Sequence, residues 1–347
     1  MVWRIVPHSA AAAILAVVMA LGQARADTTL TLNVAMPRAS SFFVGLYQPW
    51  AQAVEKASQG RIKVVMPAAS LAPVARQWDM VTSGIADVAM TPDDFIRQRV
   101  KLPFLAEIPF LAPNSVAATV AIWRTQLKFF APANEYKGVK LLGLWVNGGN
   151  TLMTKDRPVK SLDDLKGLKI WVSSPNLKSA IEAFGATPVP SQGSNDMFDF
   201  VSGGVVDGTV TGMGSLISFQ LARYIKQITT FPGQLGYNVF SFFMNQTVYD
   251  RLSPADRAVI DQVSYETISR TAAEGFVEQD HKGDAAAKQY GITINPASPD
   301  FMAQLKPRIE FYKTEWFAAA KERGIDAEAA YDYFAATAQE IAAASAK

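Results

Sequence analysis

Few residues in this sequence could carry out covalent catalysis. The chain has no cysteine and two histidines, His8 and His281. With no cysteine and so few histidines, cysteine–histidine dyads and ordinary zinc sites are excluded, and a serine–histidine pair is disfavoured. His281 lies between Asp280 and Lys282, in a polar stretch that is typical of a solvated helix surface. The sequence therefore favours a binding protein over an enzyme.

The other motifs that could indicate catalysis have simpler structural interpretations. Asp163 and Asp164 follow Ser161 at the spacing of a helix N-cap, where an acid three residues on can reach back. The segment Gly212-Met213-Gly214 lacks the third glycine and the acid of a dinucleotide fingerprint, so it indicates a turn after a strand. The sequence has no Walker loop and no Gly-x-Ser-x-Gly elbow. We expect no cofactor and no metal.

Strands alternate with helices along most of the chain, which predicts an α/β fold with a mainly parallel sheet. The predicted strands cover 29–35, 61–66, 87–90, 139–146, 169–172 and 185–190. The predicted helices cover 45–58, 73–83, 177–184 and 196–203. Two α/β units of similar size, joined by extended segments, predict two lobes with a cleft between them.

A long helix is predicted in the last third of the chain. Ser253 and Pro254 form a helix start, and helical composition continues to about Tyr290. A continuous helix of that length would be roughly 55 Å long at ~1.5 Å per residue. Because no small lobe is that wide, the helix would have to bridge both lobes, with a kink at Gly275 or Gly283.

Residues 1–26 have the pattern of an export signal. An apolar run from Ala10 to Leu21 is shorter than the ~20 residues of a spanning helix, and Ala24-Arg25-Ala26 matches a small-x-small cleavage site. We therefore expect cleavage near Ala26 and a periplasmic protein. This segment contains two of the 33 basic residues and none of the 31 acidic ones, so the remainder has no net charge. With no Lys/Arg-rich block, no nucleic-acid partner is expected.

Several short segments resemble one known family of receptors. They are Pro158–Ile170, Phe184–Pro190, Gly203–Gly208, Phe243–Asn245 with Leu252–Pro254, and either Leu102–Phe104 or Ile108–Leu111. Together they resemble the periplasmic solute receptors of TRAP (tripartite ATP-independent periplasmic) transporters, of the dicarboxylate-receptor or DctP type. Each motif is modest, but the likeness spans nearly all of the chain after residue 26.

The resemblance implies how the protein is built and used. It implies the two-lobed periplasmic-binding-protein fold, with hinge strands and a long helix across both lobes. We expect lobe one to comprise 27–148 and 237–275, and lobe two 149–236 and 276–347. The lobes would close on a small organic solute and deliver it to the membrane permease subunits of a TRAP transporter. We expect a monomer, and a role as a solute sensor stays open.

The chain departs from the family pattern at the residues that hold the ligand. The resemblance implies an arginine that forks onto a ligand carboxylate, and this chain has Trp171 there. A second, less general family arginine falls at Thr151, and the family's Glu-Asn pair falls at Val210 and Thr211. The loss of three polar groups together predicts a ligand that is not held as a carboxylate in the usual way.

We expect aromatic residues to replace these polar groups. Trp171, Trp145 and Tyr237 could form a cage around a small amine or quaternary ammonium, with Asp93 and Asp94 supplying negative charge. An aromatic or polyol ligand is also compatible. Small amines, and not C4-dicarboxylates, are thus expected to stabilise the protein. The weaker candidates for the cleft are Phe42, Trp78, Asn150, Thr151 and Thr211.

Other interpretations stay open at several of these positions. Trp145 could pack in the core, and Asp93 or Asp94 could cap the helical turn that follows. Within the family, the alternative is a carboxylate receptor that uses Lys155, Arg76 or backbone N–H groups as donors.

Overall fold

The strands of this protein form two separate bodies. The computed structural model describes residues 28–36, 38, 40, 42–191 and 196–345, so the predicted signal segment and its cleavage site lie outside the described residues. The strands are β1 (Thr28–Thr31), β2 (Ile62–Val65), β3 (Val88–Pro92), β4 (Val139–Val146), β5 (Thr151–Thr154), β6 (Lys169–Val172), β7 (Thr187–Pro190), β8 (Gly208–Thr211), β9 (Gln227–Thr230), β10 (Val239–Asn245) and β11 (Thr293–Pro296).

Helices cover the faces and edges of these strands. They are α1 (Gln48–Ala57), α2 (Gln77–Thr82), α3 (Ser115–Thr125), α4 (Leu162–Leu165), α5 (Pro175–Ala183), α6 (Asp196–Ser202), α7 (Ser215–Ser218), α8 (Gln246–Arg251), α9 (Pro254–Val263), α10 (Glu266–Gln289), α11 (Pro299–Leu305), α12 (Glu310–Glu322) and α13 (Ala327–Ser345). Shorter 3-10 and π-helical turns connect several of them.

The first body, called sheet one here, contains β1 to β4 and β10. The strand order is β3-β10-β4, and a bridge between Leu32 and Val88 joins this sheet to the parallel pair β1-β2. β10 has an almost wholly apolar sequence and is buried along its length, because helices pack on both of its faces. β10 runs antiparallel to both of its neighbours.

The second body, sheet two, has the strand order β11-β9-β5-β8-β6-β7. The pairs β6-β7, β6-β8 and β9-β11 are parallel, as the alternation of strands and helices predicts, whereas β5 is antiparallel to β8 and β9. The antiparallel strands β5 and β10 lie directly after the segments that cross from one sheet to the other. The two-lobed α/β architecture predicted from the sequence is confirmed.

The long helix is shorter than predicted. Helix α9 ends at Val263 and α10 begins at Glu266, so α10 is roughly 36 Å long at ~1.5 Å per residue. The break lies at Tyr265, which has a positive φ of 66° and donates its backbone N–H to Leu142 of β4. The preceding residue, Ser264, accepts from the Trp50 indole of α1. The prediction of one continuous helix from residue 254 was therefore wrong.

Helix α10 nevertheless bridges both lobes. Its first half packs against α3 and β4, and its second half packs against α7. Gly275 and Gly283 both lie inside the helix and do not end it. They allow close approach instead: a Cβ built at Gly275 would lie 3.4 Å from Gly45 Cα, and one at Gly283 would lie 2.1 Å from the Met213 carbonyl oxygen.

The last helix, α13, packs against a helix that follows the first three strands of sheet one. α13 packs along α3, and the Tyr333 ring contacts Phe129 at 5.4 Å between centroids. The lobe boundaries stay a prediction, but this packing favours assigning α13 to lobe one rather than to lobe two.

Candidate functional site

Two extended segments carry the chain between the sheets and lie side by side. Segment 147–150 follows β4, and segment 231–238 precedes β10. Asn147 N donates to Asn238 O at 3.1 Å, and Asn238 N donates to the Asn147 side-chain oxygen at 2.7 Å. Asn150 N donates to Gly236 O at 3.1 Å. The segments thus form a paired hinge at the base of the interlobe region.

An aromatic cluster lies at the hinge end of sheet one. Phe42, Trp145, Phe240 and Phe276 form this aromatic cluster. Trp145 stacks on its cross-strand neighbour Phe240 with centroids 6.0 Å apart and planes at 11°. Phe42 contacts Phe240 at 5.2 Å and Phe276 of α10 at 5.0 Å. The cluster therefore joins sheet one, the segment before α1 and the bridging helix.

Three buried donor atoms near the hinge have no acceptor among the described residues: the Trp145 indole nitrogen, the Asn150 side-chain nitrogen and Arg97 Nε. Trp145 and Asn150 are 0% and 1% exposed. An unpaired buried donor costs about 1–3 kcal/mol. Such donors therefore favour a molecule that brings acceptor atoms to this region.

Trp171 lies in the interior of lobe two. It is 3% exposed and packs with Met153 of β5, Met197 of α6 and Met213. Its indole nitrogen donates to Asp196 Oδ1 at 2.9 Å. The donor that could have faced a ligand is therefore satisfied within the protein.

The three residues of the predicted cage occupy three different hydrophobic clusters. Trp171 belongs to the core of lobe two, Trp145 packs with α1 and β10, and Tyr237 belongs to the large core that contains α3 and α13. Tyr237 donates its hydroxyl to Ala112 O at 3.1 Å. In the described part of the chain, no ring contact joins these three residues. The structure therefore does not bring the predicted cage together.

Thr151 and Thr211 do lie together, close to the hinge. They face each other in the register between β5 and β8, and Thr151 Oγ1 donates to Thr211 O at 3.0 Å. The Thr211 hydroxyl lies 2.6 Å from the Ser215 hydroxyl. These neutral hydroxyls stand at two of the positions where the family resemblance implies charged or amide groups.

Asp93 and Asp94 begin a 3-10 turn after β3 and are withdrawn from solvent. Burial raises the pKa of Asp93 to about 7, although the hydrogen bond from Ser241 acts to lower it. Burial likewise raises the pKa of Asp94, which pairs with Arg97 at 2.6 Å. Ser241 and Phe240 point to opposite faces of β10, so Asp93 lies on the face away from the aromatic cluster.

The remaining candidates lie elsewhere. Trp78 is a core residue on that opposite face, 5.2 Å from the Phe243 ring and 6.2 Å from the Tyr136 ring. Arg76, an alternative carboxylate donor, pairs with Asp79 at 2.9 Å on an exposed helix. Lys155 directly follows the end of β5, with its Nζ 3.7 Å from a Cβ built at Gly204.

Three polar residues near the hinge were missed by the sequence analysis: Arg97, Asn176 and Asp280. Asp280 of α10 accepts from Gly214 N at 2.9 Å, and a Cβ at Gly148 would lie 2.5 Å from its Oδ2. Burial raises the pKa of Asp280 to about 6. The adjacent His281 is exposed, as predicted. The signal in the sequence is a pair of glycines, Gly148 and Gly212, which leave room for the Asp280 carboxylate.

The Asp163–Asp164 pair has a structural role. Asp164 Oδ2 accepts from Lys160 N at 3.0 Å and from the Ser161 hydroxyl at 2.9 Å, and these bonds lower the pKa of Asp164. Asp163 is exposed and pairs with Lys166 at 2.7 Å. Within the described ranges, no group of three or more histidine, aspartate or glutamate residues is placed to hold a metal ion.

Comparisons with known proteins agree with this architecture. A family model described as bacterial extracellular solute-binding protein, family 7 (DctP), matches residues 33–318. The "Outer membrane transporter protein TsaT" of Comamonas testosteroni is 30% identical over 334 residues, which are 94% of this chain and 96% of that protein. No helix in the described part of this chain is long and apolar enough to cross a membrane.

Two solved structures are also similar. A TRAP periplasmic solute-binding protein from Bordetella bronchiseptica, with bound (R)-mandelate and (S)-mandelate, has a TM-score of 0.84 and 27% identity, covering 90% of this chain and 99% of that one. A marine metagenome TRAP solute-binding protein specific for aromatic acid ligands, in complex with 3-hydroxybenzoate, has a TM-score of 0.80 and 25% identity, covering 90% and 98%. The chain thus belongs to the DctP family of bacterial extracellular solute-binding proteins, and it is a TRAP-type solute receptor rather than an enzyme.

Proposed function

We propose that this receptor captures an aromatic carboxylate and passes it to the permease subunits of a TRAP transporter. The observation that carries the proposal is the Trp145 indole N–H, which is buried in the aromatic cluster and has no acceptor among the described residues. An indole nitrogen can donate but cannot accept. A ligand with an acceptor oxygen on an aromatic body would satisfy this donor and pack against the neighbouring rings.

The charges near the hinge support an acid more than a cation. The acidic side chains that a cation would need are already engaged: Asp94 pairs with Arg97, and Asp280 accepts from Gly214 N. Asp93 lies on the other face of β10, and its raised pKa reduces its charge near neutral pH. The amine ligand expected from the sequence stays a competing prediction.

The relatives support the same class of ligand. The two similar receptors described above bind mandelate and 3-hydroxybenzoate, and each of these ligands combines a carboxylate with an aromatic ring. In this chain the carboxylate would be held by neutral donors, because a tryptophan replaces the arginine that the family resemblance implies. Trp145 and Asn150 are the proposed donors.

A thermal-shift panel tests the ligand class. We expect mandelate, benzoate or 3-hydroxybenzoate to raise the melting temperature, and we expect succinate, choline and benzylamine to leave it unchanged. Stabilisation by the amines alone would refute the proposal and favour the cationic cage. Stabilisation by succinate alone would refute it in favour of a dicarboxylate.

The Trp145→Phe variant tests the donor. It keeps a ring against Phe240 but removes the N–H. A hydrogen bond to a charged group is worth about 1.5–3 kcal/mol, so affinity for the stabilising acid should fall about 10- to 100-fold. The matched control is Trp78→Phe, which alters a buried indole on the opposite face of sheet one and should leave affinity unchanged. Equal affinities for both variants, measured by calorimetry, would exclude Trp145 as a ligand donor.

We also propose that the protein acts as a monomer and that it serves transport rather than sensing. Family membership supports the transport role, because TRAP receptors work with membrane permease subunits. The proposed export signal and cleavage near Ala26 would place the receptor where those subunits can reach it.

A further inference from the structure

Asn176 lies where lobe two meets lobe one. It is the second residue of α5, which follows β6 of sheet two. Its Oδ1 accepts from Arg97 Nη1 at 3.2 Å, and its Nδ2 donates to Glu107 Oε2. Both partners belong to lobe one: Arg97 follows β3, and Glu107 ends a 3-10 helix packed on β10. The side chain of Asn176 therefore joins the two lobes through both of its polar atoms.

Asn176 completes a row of charged groups. Arg97 Nη2 pairs with Asp94 at 2.6 Å, and the second oxygen of Glu107 accepts from Val239 N of β10 at 3.0 Å. Arg97 also lies over the Phe104 ring, 3.9 Å from its centroid. Each end of the row is thus fixed to lobe one. Arg97 Nη2 also lies 3.9 Å from Glu107 Oε2, and the Asn176 amide bonds to both residues.

An asparagine is well suited to this position. It must accept from a guanidinium and donate to a carboxylate at the same time, and a primary amide carries one acceptor end and one donor end. An ionised aspartate there could accept from Arg97 but could not donate to Glu107. The position of Asn176 is fixed independently, because the Tyr312 hydroxyl of α12 donates to its backbone oxygen.

We infer that Asn176 is a positioning residue that clasps lobe two onto lobe one and sets the fraction of receptor that is closed before ligand binds. With the lobes joined in this way Glu107 is 3% exposed, so loss of the amide leaves its Oε2 with only the 3.9 Å contact to Arg97 Nη2, and water has little access to replace the lost donor. In an open form water can reach Glu107 and Arg97. Removing the amide therefore raises the free energy of the closed form selectively.

The inference rests on the receptor role proposed above but not on the class of ligand. Apparent affinity falls in proportion to the closed fraction. A clasp variant should therefore weaken all ligands by one common factor and leave the ratio between two ligands unchanged. A residue that contacts the ligand would instead change that ratio.

The experiment measures closure without ligand. The chain has no cysteine, so spin labels can be attached at Gln98→Cys and Lys169→Cys, exposed positions next to Arg97 in lobe one and at the start of β6 in lobe two. Pulsed electron–electron double resonance then gives the distribution of distances between the two labels, and so between the lobes. The variants are Asn176→Ala and Asn176→Asp, and the control is Lys178→Ala, an exposed residue of the same helix.

We expect both Asn176 variants to populate longer distances than the parent, and Lys178→Ala to match the parent. The open-to-closed ratio should rise about tenfold for Asn176→Ala, which corresponds to about one or two lost hydrogen bonds. Tyr312→Phe, which disturbs only the backbone contact, should give a smaller change in the same direction. Distributions identical to the parent for both Asn176 variants would overturn the inference, whatever ligand the receptor binds.

Discussion

Replacement of Gly283 by alanine tests how closely the bridging helix approaches lobe two. Alanine normally stabilises a helix interior by about 1 kcal/mol relative to glycine. Here a Cβ would lie 2.1 Å from the Met213 carbonyl oxygen, 2.4 Å from its carbonyl carbon and 3.0 Å from Gly214 N. These are backbone atoms, so α10 must move away from the loop that follows β8. The clash should therefore outweigh the gain in helix propensity.

The expected size follows from these two opposing terms. Overpacking a tight contact costs about 1–3 kcal/mol, and rigid backbone neighbours favour the upper end of that range. After the gain in helix propensity is subtracted, Gly283→Ala should lower the free energy of unfolding by about 2 kcal/mol.

Gly275→Ala is the matched comparison in the same helix. Its Cβ would lie 3.4 Å from Gly45 Cα, at the edge of ordinary contact, so the gain in helix propensity should dominate. Urea unfolding followed by circular dichroism gives both midpoints. The two substitutions should move the midpoint in opposite directions. A Gly283→Ala midpoint equal to or above that of Gly275→Ala would refute the close approach.

Two further substitutions probe the buried polar groups. Because burial raises the pKa of Asp280 to about 6, the folded protein holds this proton more tightly than the unfolded chain, so stability should fall as pH rises from about 4 to 6. The Asp280→Asn variant should lack about 1–3 kcal/mol of this pH-dependent loss of unfolding free energy. Unfolding midpoints that keep the full pH dependence of the parent would contradict the raised pKa of Asp280. Trp171→Phe loses the bond to Asp196 and should lower the melting temperature by several degrees while leaving affinity for mandelate within about twofold. A collapse of affinity would instead restore Trp171 to the ligand site.

Local patterns predict the elements of this protein well where burial follows the sequence period. The strand 139–146 and the strand 169–172 have the predicted bounds, since their side chains lie in buried positions of the sheets. The break between α9 and α10 could not be predicted, because Tyr265 is held by a backbone bond to Leu142, more than 100 residues earlier in the chain. No local propensity encodes such a contact.

The candidate site was harder to predict than the fold. Trp171 is at the position that the family resemblance indicates, but its indole turns to Asp196 and not to a shared cage. Arg97, Asn176 and Asp280 look like solvated residues in the sequence. Their roles come from groups that approach from distant segments, and neither periodicity nor charge pattern carries that information.

The reciprocal bonds between Asn147 and Asn238 have a consequence for how the lobes move. They fasten the two crossing segments to each other, so neither crossing can bend alone. Coupled crossings leave the lobes a single swing axis and suppress independent twisting. Rotation about one axis moves the outer surfaces of the two lobes together, so the degree of closure at the cleft and the spacing of those surfaces change as one variable.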